Sequence, residues 1–106
     1  MTNKLNICLI DDHQLVRDGI RLIINQTSNM AIINEYENLK SFLNESKCNA
    51  DILLLDLTLP DSQGIASIQA IKKKHKTIPI LILTMHNESQ FGVRAMQAGA
   101  KGYLTK

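Results

Sequence analysis

Carboxylates and a hydroxyl stand where the apolar runs of this chain stop. Ile52-Leu-Leu-Leu55 runs straight into Asp56, with Pro60 close behind. A short apolar run bounded by turn signals suits a strand buried on both faces. Pro60 bars a helix from continuing through it and holds Leu59 toward extended geometry, so Asp56 is expected at the carboxyl end of a central strand. Leu9-Ile10 likewise gives way to Asp11-Asp12, Ile80-Leu-Ile-Leu83 ends at Thr84, and a last short run leads to Lys106. In a parallel sheet these ends point the same way, and Asp11, Asp12, Asp56, Thr84 and Lys106 converge. Three carboxylates repel one another and demand a cation. Oxygen ligands with few protein contacts suit Mg²⁺, which completes its shell with water and phosphate oxygens. A hydroxyl and an ammonium would meet the other oxygens of a phosphoryl group. The chemistry implied is phosphoryl transfer onto a carboxylate, giving an aspartyl phosphate.

The elements that must position these groups follow from periodicity. Residues 5–10 read as a strand. Leu15, Val16, Gly19, Ile20, Ile23 and Ile24 then fall at helical spacing, with Arg17, Asp18 and Arg21 on the opposite face. The polar cluster 25–29 reads as a loop. Residues 31–36 form a second strand whose apolar part is Ala31, Ile32 and Ile33, and 38–46 a weakly amphipathic helix carrying Leu39, Phe42 and Leu43. Ile65, Ile68 and Ile71 mark a third helix closing in Lys72-Lys-Lys-His75. That basic last turn complements the helix dipole and reads as a solvated face rather than a nucleic-acid patch. Residues 88–98 form a fourth helix, closed by Gly99 as a left-handed cap, and 101–104 a fifth strand. Strand and helix alternate five times, the pattern of βαβ units around a parallel sheet covered on both faces.

Bulk properties narrow the function classes. The chain has 106 residues, 44% hydrophobic and 21% charged, which suits one domain with one core. A net charge of +2 is too small to argue for nucleic acid or a membrane surface. No apolar stretch nears the ~18 residues of a spanning helix, and the N-terminus lacks a secretory cleavage site, so a cytoplasmic location is expected. Cys8 and Cys48 have no paired spacing and read as free thiols. His13, His75 and His86 are scattered and suggest no zinc site. The first strand-to-helix turn holds Asp11-Asp12-His13 where a dinucleotide fold needs Gly-x-Gly-x-x-Gly.

The chain resembles the receiver domain of two-component response regulators, the CheY-like fold. The resemblance runs from Asn6 to the end of the chain. It rests on Leu-Ile-Asp-Asp (9–12), Leu-Leu-Leu-Asp56 with Pro60 and Gly64, Ile-Leu-Thr84, and Gly-Ala-Lys-Gly-Tyr103-Leu-Thr-Lys106. It implies a flavodoxin-like doubly wound α/β fold with five parallel strands in the order 2-1-3-4-5. It also implies that Asp56 accepts a phosphoryl group from a sensor histidine kinase. Asp12 and Asp56 would bind Mg²⁺ directly, Asp11 through water, and Thr58 through its carbonyl. Thr84 and Lys106 would hold the phosphoryl oxygens, and Tyr103 would swing inward in the active state, making Thr84 and Tyr103 the switch. Thr58 and His86 would flank the path of a hydrolytic water, and Met85, standing where family members often have a small residue, would narrow the approach to Asp56.

Asp-Asp-His-Gln-Leu-Val-Arg-Asp-Gly-Ile (11–20) and Met-Gln-Ala-Gly-Ala-Lys-Gly-Tyr-Leu (96–104) resemble receivers joined to a LuxR-type helix-turn-helix domain, as in LuxR/NarL-type regulators. DNA contact would then belong to an output domain outside this chain. The family's receiver has a fifth helix after the lysine, so residues 1–106 are expected to be a receiver domain truncated after its fifth strand. Ile80 to Leu83 is apolar on both faces, and the strip a fifth helix would cover is expected to drive self-association. A haloacid-dehalogenase-type phosphatase is disfavoured, because it carries Asp-x-Asp after its first strand and here Thr58 lies two beyond Asp56. The chain is accordingly expected to be a phosphoacceptor, with at most slow self-phosphorylation and self-dephosphorylation, rather than an enzyme.

Overall fold

Consecutive apolar residues in the central strands are shared out between the two faces of one sheet. The computed structural model describes residues 4–45, 49–57, 62–84 and 89–105; of residues 57, 62–63, 84, 89–92, 103 and 105 it describes the backbone alone. The elements are β1 (Leu5–Ile10), α1 (Gln14–Asn25), β2 (Met30–Tyr36), α2 (Leu39–Leu43), β3 (Ile52–Leu57), α3 (Ser62–Lys74), β4 (Ile80–Thr84), α4 (Ser89–Ala98) and β5 (Gly102–Thr105). The strands form a five-stranded sheet in the order β2-β1-β3-β4-β5, and every pair is parallel. This is the expected order, and all its connections are helical crossovers of the kind parallel pairing requires.

Side chains alternate across a strand, so the register decides which face each one joins. Cys8, Ile10, Leu53, Leu55, Ile80 and Ile82 pack with Phe42 of α2, Ile68 and Ile71 of α3 and Ala95 of α4. Ile7, Leu9 and Leu54 pack on the other face with Ile24 and Ile20 of α1, joined by the half-buried Leu81 and Leu83. Among the described residues, three helices cover the first face and one covers the second.

That asymmetry revises the expected face of α1. Ile24 is buried and Val16 and Ile20 are half-buried, one turn apart, whereas Leu15 is 83% exposed and Ile23 63%. The apolar positions make an arc wider than the contact with the sheet. Arg21, on one flank, donates two hydrogen bonds to the Glu35 carboxylate of β2, at 2.6 and 2.7 Å. The helix lies over β1 and β2 through Ile20 and Ile24, and Leu15, Gly19, Leu22 and Ile23 are exposed.

Other boundaries move for local reasons. β2 gains a residue between the pairs Ile7–Ile32 and Cys8–Asn34, so Ile33 falls at a bulge and is exposed rather than cored. α2 is shorter than expected: Asn38 caps it by accepting a hydrogen bond from the Ser41 N–H at 2.7 Å, and the helix stops at Leu43, before Asn44. The lysines closing α3 are not all solvated. Lys72 donates to the Ile78 carbonyl and Lys74 to the Leu43 carbonyl, tying that helix end to its neighbours. α4 closes as expected. Gly99 has φ +123°, its N–H bonds to the Met96 carbonyl, and that of Ala100 bonds to the Ala95 carbonyl, a Schellman closure. Cys8 is buried, and Cys48 lies outside the described residues.

Candidate functional site

The β1–β3 register sets the site. Ile10 pairs with Leu55 and both enter the three-helix face, so the next residues, Asp11 and Asp56, turn together toward the opposite side. The Asp11 N–H bonds to the Tyr36 carbonyl at 3.0 Å, which extends the β1–β2 ladder one residue past the strand and fixes the carboxylate at its end. Asp11 is 1% exposed and Asp56 8%. The His13 N–H donates to Asp11 Oδ1 at 2.9 Å, a turn that carries the chain from β1 into α1.

One oxygen of Asp11 is thus satisfied, whereas Oδ2 is buried with no hydrogen-bond partner. Burying a carboxylate oxygen costs several kcal/mol unless a counter-charge or donor meets it. Donor atoms of Asp11, His13 and Asp56 lie within 4.8 Å of one another. The residues therefore fit a divalent cation on two grounds: an orphaned buried oxygen, and converging carboxylates at strand ends.

The expected site residues are distributed as follows. Asp11 and Asp56 come together. Asp12 turns outward, its side chain 66% exposed, and meets His13 Nδ1 at 2.8 Å. Thr84 ends β4, its backbone paired with Leu57 of β3 and thus next to the Asp56 level; Tyr103 pairs with Ile82 on β5. Thr58, Met85, His86 and Lys106 lie outside the described residues.

His13 is the residue that sequence reasoning missed. It is not one of three scattered histidines, because its Nδ1 also lies 3.3 Å from Asp11 Oδ1. The available signal was its place directly after two carboxylates at a strand end. A separate cavity of about 190 Å³, lined by Cys8, Asn34, Tyr36 and Glu45 among others, lies against β2 and contains none of these groups. No described helix is long and apolar enough to cross a membrane.

Residues 7–106 match the family model of the response regulator receiver domain. The chain is 41% identical over 101 residues to the transcriptional regulatory protein YdfI of Bacillus subtilis, covering 94% of this chain and 47% of that protein. A LuxR-family two-component response regulator from Aurantimonas superposes with a TM-score of 0.85 at 36% identity, covering 98% of this chain and 75% of the other. The Salmonella typhimurium RcsB response regulator, studied for its conformational dynamism in DNA interaction, superposes at 0.86 with 28% identity, over 99% of this chain and 52% of its own. The chain spans about half the length of the curated relatives it matches.

Proposed function

Because the chain belongs to the family of response regulator receiver domains, we propose that it is a phosphorylation-dependent switch whose phosphoacceptor is Asp56. The observation that carries this reading is the buried Asp56 carboxylate beside Asp11 at adjoining strand ends. An Asp56 oxygen attacks the phosphorus of a phosphohistidine on a sensor histidine kinase. The P–N bond breaks, the imidazole leaves with its electron pair and takes up a proton, and an acyl phosphate remains on Asp56.

Asp11 and Asp56, with the Thr58 carbonyl and with Asp12 turned in from its contact with His13, would hold Mg²⁺. The ion supplies the positive charge that lets an anionic phosphoryl group approach carboxylates. Thr84 and Lys106 receive the phosphoryl oxygens. Drawing the Thr84 hydroxyl inward vacates space that Tyr103 fills, so the α4–β5 surface changes with phosphorylation. Thr58, Met85 and His86 set how readily water reaches the acyl phosphate, and turnover by this domain alone is slow. In an intact regulator a DNA-binding output domain reads the altered surface and controls transcription, while this domain touches no nucleic acid and no membrane. Self-association uses the thinly covered sheet face, where Leu104 is exposed and Leu81 and Leu83 are only half-buried. Its setting is the cytoplasm, where the kinase's phosphohistidine is formed.

Acetyl phosphate with Mg²⁺ tests the assignment. One hydroxylamine-sensitive phosphoryl group should appear by intact mass, and none on Asp56→Asn. Equal labelling of that variant overturns it. Beryllofluoride should shift backbone amides across residues 84–104, and Asp12→Asn should suppress the metal-dependent reaction.

A further inference from the structure

The imidazole of His13 has no evident structural task at the position it occupies. It is the N-cap of α1, a place where side chains normally accept a hydrogen bond from the first turn, yet it makes no such bond. It turns back to the carboxylates instead. Nδ1 lies 2.8 Å from Asp12 Oδ1 and 3.3 Å from Asp11 Oδ1, and it belongs with Asp56 to the group whose donor atoms fall within 4.8 Å. Neighbouring donors around an ion with bonds of about 2.1 Å are spaced about 3 Å apart, and opposite ones about 4.2 Å. The 3.3 Å between His13 Nδ1 and Asp11 Oδ1 is already close to the spacing of neighbouring donors. The unpartnered Asp11 Oδ2, buried in the same cluster, marks independently where positive charge is wanted.

A carboxylate-only set suits Mg²⁺, whereas an imidazole nitrogen favours the later first-row divalent ions. We propose that His13 Nδ1 is a metal ligand of this site, and that the Asp11–His13–Asp56 set binds a divalent transition ion such as Ni²⁺ or Zn²⁺ more tightly than Mg²⁺. His13 ligates as the tautomer whose proton sits on Nε2, the nitrogen facing away from the carboxylates. The inference rests on the reading that Asp11 and Asp56 hold a cation, and it adds a nitrogen donor to that shell. Cells that offer the site both kinds of ion would then load it according to their transition-metal supply as well as their Mg²⁺.

Calorimetric titration of the 106-residue chain with Mg²⁺ and with Ni²⁺ tests this, together with ¹⁵N spectra of the histidine rings with and without Zn²⁺. The wild-type chain should bind Ni²⁺ at least about tenfold more tightly than Mg²⁺, and His13→Gln should lower that ratio by about tenfold or more. Zn²⁺ should move the His13 Nδ1 resonance, and Mg²⁺ should not. If His13 merely orients the carboxylates, His13→Gln weakens both ions alike and leaves the ratio intact, which overturns the proposal. An unmoved His13 ring in Zn²⁺ overturns it as well. Mg²⁺-dependent phosphorylation of the wild-type chain is scored separately. If that succeeds while the Ni²⁺/Mg²⁺ ratio ignores His13, only the nitrogen ligand falls; if Asp56 is never labelled, the phosphoacceptor reading falls.

Discussion

The two faces of the sheet are built from the same strands but differ in how completely they are covered. On the face under α2, α3 and α4, Leu53, Ile68, Ile71, Ile80 and Ile82 are fully buried. On the face under α1, Leu81 and Leu83 are only half-buried, and Leu104, which pairs with Leu83, is exposed. Strand sequence alone does not distinguish Leu81 from Ile82. The difference is one of cover: α1 packs through Ile20 and Ile24 with Ile7 and Leu9 of β1 and Met30 and Ile32 of β2, leaving Leu81 and Leu83 only half-buried. The site opens on this thinly covered side: Asp11 and Asp56 share the parity of Leu9 and Leu54, not that of Ile10 and Leu55. A carboxylate cluster there escapes the three-helix core, where an uncompensated charge would be far costlier.

Several substitutions would sharpen or break this contrast. Ile82→Ala, on the crowded face, should cost about 2–5 kcal/mol in urea unfolding because the cavity cannot collapse. Leu15→Ala, the same kind of truncation on the exposed flank of α1, should stay within about 0.5 kcal/mol. Equal losses would erase the distinction between the faces.

A smaller effect is expected at Gly102. A Cβ there would stand 2.6 Å from Leu81 Cδ1, so the Leu81 side chain lies across the bare backbone of β5. Gly102→Ala should cost about 1–3 kcal/mol by overpacking. Adding Leu81→Ala should recover part of that loss; a strictly additive double variant would mean that the close approach is relieved elsewhere.

The thin face should also govern association. Sedimentation velocity at rising concentration should show self-association, and Leu104→Glu should shift the population toward monomer while Val93→Glu on α4 does not. A wild-type chain that stays monomeric at high concentration would remove this role from the face.

The smallest effect is one of pH and belongs to the covered face. His75, at the end of α3, rests against the Phe42 ring with centroids 5.2 Å apart. Burial, and after it Lys74, holds the His75 pKa below its ordinary value of 6.5. The unfolded chain therefore protonates first as pH falls. Stability is fully present above pH 6.5 and declines from there toward the lowered folded value. Urea midpoints measured across this range should show the decline, and His75→Gln should flatten it.

Much of this molecule was legible in the order of its residues. Alternating apolar runs and amphipathic stretches specify strands and helices because side-chain period is local, and Pro79 and Gly99 punctuate them through backbone sterics. The ending of buried strands in Asp11 and Asp56 was likewise a local fact with a clear chemical reading. What only the tertiary structure decided depends on partners distant in sequence. Which oxygens converge follows from the Ile10–Leu55 register, which turns Asp11 inward and leaves Asp12 outside. The exposure of Leu15 and Ile23 follows from the packing of α1 on the sheet through Ile20 and Ile24, and that of Ile33 from a bulge against β1. His13 is marked in the sequence only by following two carboxylates at a strand end. Its ring joins the site because α1 begins there and the turn from β1 brings it back over the carboxylates, a direction that composition and spacing do not encode.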